Sequence, residues 1–146
     1  MASRFVARSA LLVLWLAAVM VCVAWLGGAI PHQTLPDPDY MWRPPQIASG
    51  LKLLIGMAAT FVVVAVCLLL RRLLKQGVLS RTWLAVFVAA GAIAAYCGFT
   101  YVVATAPVIG ANIGGGIAVL FAGPFTVGTA IVAGVWVHQG PRTPPA

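Results

Sequence analysis

Acidic residues are almost missing from this chain. Asp37 and Asp39 are the only two, set against nine Lys and Arg in 146 residues. Charge of either sign is scarce, at 8% of residues, where a soluble domain carries about 25%. That shortage excludes a soluble enzyme and a disordered tail, because a fold of this length cannot hide 62% hydrophobic residues from water. Cysteine is equally sparse. Cys22, Cys67 and Cys97 form no CxxC pair, so neither a disulfide-stapled domain nor a thiol relay has its motif. The segments also lack the alternation of apolar and polar residues that a membrane barrel requires. Phe61 to Leu70, for instance, is apolar on every face.

What the chain has is apolar length. Its mean hydropathy is +1.04, and four stretches reach the ~20 residues that a helix needs to cross a bilayer. They are 10–30, 49–70, 83–104 and 116–137. We therefore expect an all-α, polytopic integral membrane protein of four transmembrane helices in a single domain, residues 1–146. Pro107, Gly110 and the triplet Gly114-Gly115-Gly116 punctuate the uncharged span between Arg81 and Arg142, which is too long for one crossing, and are expected to form the turn there. Residues 31–48 hold five of the ten prolines and read as an extended, proline-rich loop outside the membrane.

The basic residues set the orientation. Arg4, Arg8, Arg71, Arg72, Lys75, Arg81 and Arg142 fall on one side of a four-helix topology, and Arg43 and Lys52 on the other. A seven-to-two split places both termini in the cytoplasm. The net charge of +7 is then a topology signal flanking apolar runs, and no nucleic-acid partner is expected. Trp83 and Trp136 are expected at the inner interface, Trp25 and Trp42 at the outer one, and Trp15 deeper, as a packing residue. Arg4 and Arg8 followed by an apolar run look like a signal peptide, but the run exceeds the usual ~7–15 residues, so an uncleaved anchor is expected.

Chemistry has little to stand on. No ionisable acid or base sits at mid-depth in any helix, where a proton or ion relay normally needs one. Small multidrug exporters are similar in length and helix count, but their essential membrane glutamate has no counterpart here. Two acids flanking Pro38 are too few for a calcium site, and the glycine triplet lacks the strand and Lys-Ser/Thr context of a phosphate loop. Met20, Cys22, His32, Met41, Met57 and Cys97 share the outer half without any ligand spacing. No catalytic residue, metal or cofactor is expected.

The remaining signal is packing. Lipid supplies no hydrophobic drive between helices, so small residues that admit a neighbouring backbone mark contact faces. Gly116, Gly123, Ala130 and Gly134 fall on one stripe of the fourth helix, and Ala90, Gly91, Ala94, Ala95 and Gly98 line the third. Pro124 is expected to kink the fourth helix, freeing the Leu120 carbonyl for Tyr96, Thr100 or Thr126. These features point to an accessory or structural subunit of the cell membrane, packing against a membrane-protein partner or its own copies within the lipid bilayer. The competing expectation is a small oligomeric transporter or channel, for which Asn112 and Thr60, Thr100, Thr126 and Thr129 are thin pore material.

Overall fold

The computed structural model describes residues 2–28, 41–106 and 111–139, and these form four helices. They are α1 (Ala2–Gly28), α2 (Ser49–Lys75), α3 (Arg81–Thr105) and α4 (Ala111–Gln139). All four are long and apolar enough to cross a membrane, and no strand occurs among the described residues. Helix is the outcome the composition dictates, since every backbone N–H and C=O must be satisfied within the segment when no water is at hand. Residues 29–40, which hold much of the expected proline-rich loop with Asp37, Asp39 and His32, lie outside the described residues, as do Pro107 and Gly110.

Apolarity locates the membrane layer but not the helix ends. α1 starts at Ala2 rather than near residue 10, and α2 runs past Arg71 and Arg72 to Lys75. Charged residues flanking an apolar run are good helix formers, so the helix continues into the polar layer. One expectation is overturned. Gly114, Gly115 and Gly116 are not a turn; they lie inside α4. Gly115 sits against Ala104 of the neighbouring helix, where a Cβ would be in ordinary contact at 3.4 Å, and its bareness leaves room for the Met41 sulfur, with which a Cβ would collide.

The helices pack in the order α2, α1, α3, α4, with α1 and α3 at the centre and α2 and α4 at the flanks. At one end, α2 passes to α3 through a tight connection. Gly77 adopts φ +68°, the left-handed conformation that glycine accepts without penalty. Gly77 N–H then donates to Leu74 O at 3.1 Å and Val78 N–H to Leu73 O at 3.0 Å, closing the helix with a Schellman motif. Ser80 caps α3 by accepting from Trp83 N–H. Leu79 is thereby turned inward, and with Val66, Leu70 and Phe87 it forms the buried core beneath this turn, flanked by Leu11, Leu12 and Trp15 of α1. Toward the other end the contacts become small: Ala18, Cys22, Ala59, Ala94 and Ala104 are buried there. Residues 41–48 lead into α2, and Trp42 N–H donates to Ala104 O at 3.0 Å, supplying a donor to the carbonyl end of α3, where the last turn has no intrahelical partner.

Candidate functional site

The small residues singled out in the sequence divide sharply. On α3, Gly91 and Gly98 both face α1. A Cβ at Gly91 would lie 2.9 Å from the Trp15 Nε1, and one at Gly98 only 2.6 Å from the Met20 carbonyl oxygen and 3.0 Å from the Val23 Cβ. The space at Gly91 is what admits the Trp15 indole, whose N–H donates to the Phe87 carbonyl at 2.9 Å. Trp15 is thus a packing residue with its one donor satisfied across helices. Gly56 of α2 plays the same part for Trp25, whose ring occupies the place of a Cβ there. Trp25 therefore packs between α1 and α2.

On α4 the picture reverses. The face against α3 carries Gly115 and Ala118, both buried. Gly116, Gly123 and Gly134 have nothing within 4 Å of the position a Cβ would take, and Ala130 is exposed. At 100° per residue this stripe points away from α3, so no part of the described chain faces it. α4 is the least buried of the four spans, with 6% of its membrane window inside the protein.

Pro124 lies within α4, which continues on both sides of it. The polar layer expected near it exists in altered form. Tyr96 O–H donates to Ala118 O at 2.6 Å, and its ring stacks on Phe125 with centroids 4.5 Å apart. Thr126 turns back to its own helix, donating to Ala122 O at 2.8 Å. Thr100 Oγ1 is buried without a partner. Tyr96 thus ties α4 to α3 two residues before the carbonyl that Pro124 frees.

The cysteines sit in separate surroundings. Cys22 is buried, and Cys67 and Cys97 are exposed. Cys22 Sγ and Thr60 Oγ1 lie 3.4 Å apart. Thr60 donates to Gly56 O at 2.9 Å, so the thiol is the donor in that pair. No group of three or more His, Cys, Asp or Glu that could hold a metal occurs among the described residues. At the turn end, the half-buried Arg8 donates to Val78 O at 3.1 Å and lies 5.6 Å over the Trp83 ring, clasping the α2–α3 connection to α1. Arg71, Arg72, Lys75 and Arg81 at the same end are exposed, and no acidic residue occurs among the described residues.

Apolar clefts open between the described helices. A cleft of about 560 Å³ lies between α3 and α4, walled by Ala85, Val88 and Ala92 on one side and Phe125, Val132 and Trp136 on the other. A narrower one of about 310 Å³ lies between α2 and α3. No protein-family model, characterised protein or solved structure matches the chain.

Proposed function

We propose that this small membrane protein is a non-catalytic, multi-pass subunit of the cell membrane that works by packing α4 against another membrane protein. The observation that carries the reading is the bare stripe on α4. Glycine in a helix interior costs about 0.5–1 kcal/mol relative to alanine, and Gly116, Gly123 and Gly134 each bear that cost with nothing of the described residues beside them. Close approach of a further helix, which small residues permit, is the gain that offsets it. The seven-to-two division of basic residues supports placing both termini on the cytoplasmic side.

Purification from native membranes in mild detergent, with mass spectrometry of co-purifying chains, tests the proposal. A second membrane protein in stoichiometric amount is the expected result, lost on Gly123→Leu. A homo-oligomer without other chains that conducts ions when reconstituted would overturn it in favour of a channel.

A further inference from the structure

The narrower cleft differs from the wider one in carrying a charge at its mouth. Its α2 wall is Cys67, Leu70, Arg71 and Leu74, its α3 wall is Leu84, Phe87 and Val88, and Trp15 of α1 closes the floor. It exists because α2 and α3 both pack on α1 and meet each other only near their connection. Cys67 to Leu74 spans about two helical turns, roughly 10 Å. The groove, of about 310 Å³, runs along these two turns between apolar walls. Apolar walls with one cation at the mouth match a hydrocarbon chain that ends in an anionic headgroup.

We infer that this groove binds an anionic phospholipid, with one acyl chain between α2 and α3 and the phosphate on Arg71. The charges favour this occupant. Arg8 is engaged with Val78 O and Trp83, but Arg71 is exposed, and the described residues offer no carboxylate to pair with it. A guanidinium binds phosphate through a planar fork of donors, and Arg71 sits where the apolar walls give way to the polar layer. Arg72, Lys75 and Arg81 reinforce the positive field at the same end but do not line the groove.

The full chain in mild detergent provides its own reporters. Cys67 lines the groove and is exposed, while Cys97 is exposed elsewhere on the bundle. Phosphatidylglycerol should slow alkylation of Cys67 by a small maleimide and leave Cys97 unchanged. Phosphatidylcholine with the same acyl chains has the same phosphate but a choline cation that offsets its charge beside Arg71, so it should need roughly tenfold more lipid for equal protection. Arg71→Gln should abolish that difference, and Arg72→Gln should retain it. Both positions are exposed, and unchanged helical circular dichroism confirms that the variants fold. Absence of protection, equal protection by the two lipids, or equal damage from the two substitutions would each overturn the inference.

Discussion

Gly98, which lies against the α1 backbone, offers the sharpest test of the packing. At Gly98 a Cβ would lie 2.6 Å from the Met20 carbonyl oxygen, and because that atom is backbone, no rotamer change relieves the contact. Gly98→Ala must therefore separate α1 from α3, and overpacking of this kind costs about 1–3 kcal/mol. Alanine also favours the helix by about 0.8–1.0 kcal/mol over glycine, which would mask part of the loss. Gly128→Ala removes the ambiguity. Gly128 lies inside α4 with nothing within 4 Å, so it takes the same helical gain without the clash. The difference between the two variants should then be about 1–3 kcal/mol, roughly 5- to 150-fold in the folded-to-unfolded ratio. Reversible unfolding in mixed micelles of rising sodium dodecyl sulfate, followed by tryptophan fluorescence, measures it. If Gly98→Ala and Gly128→Ala shift the midpoint alike, α1 and α3 do not meet at this point and the arrangement of the bundle is wrong.

Three further outcomes are expected. Tyr96→Phe removes the donor to Ala118 O but keeps the ring against Phe125; it should cost about 0.6 kcal/mol, the average for interhelical bonds in membranes, and no change in the same titration would show that the bond is not made. Gly123→Leu should leave the isolated protein at least as stable as wild type, gaining up to about 0.8 kcal/mol of helix propensity, because the added side chain meets nothing within 4 Å, while loss of a co-purifying partner marks the face it disrupts; a large loss of stability in the isolated chain would refute the open stripe. Thiol labelling in intact cells by a membrane-impermeant reagent should modify a cysteine at Arg43 and spare one at Gln76, and the reverse pattern would invert the topology.

Much of this fold is legible in composition, since runs such as Phe61–Leu70 have no other stable form in lipid. The turn between α2 and α3 carries readable signals too, with Gly77 just past the helix and Ser80 just before the next. The glycine triplet misleads because glycine serves both as punctuation and as a packing surface, and only the neighbour, Ala104 at Gly115, decides which. The same ambiguity covers the small-residue faces. Alanine and glycine are so common here that spacing cannot distinguish the stripe through Gly91 and Gly98, filled by α1, from the stripe through Gly116 and Gly123, filled by none of the described residues. The pairing of Gly56 with Trp25 left only a faint trace: a bare position in the apolar run of α2, and a large ring at similar depth in α1. The groove at Arg71 has no sequence signature, because it depends on which helices fail to touch.

The spatial order α2, α1, α3, α4 bears on how the protein is made. Chains emerge N-terminus first, and α1 touches both of the next two helices. Each newly synthesised helix up to the third thus finds its main partner already in the membrane, and Val66, Leu70, Leu79 and Phe87 close their core with no contribution from α4. The last helix arrives at a finished three-helix unit and attaches chiefly to α3. A polypeptide ending after Thr105 would keep every contact of that unit except those α4 makes with it. Biogenesis of the core and presentation of the fourth helix are therefore separable events, the first complete within the nascent chain and the second left for whatever the membrane supplies.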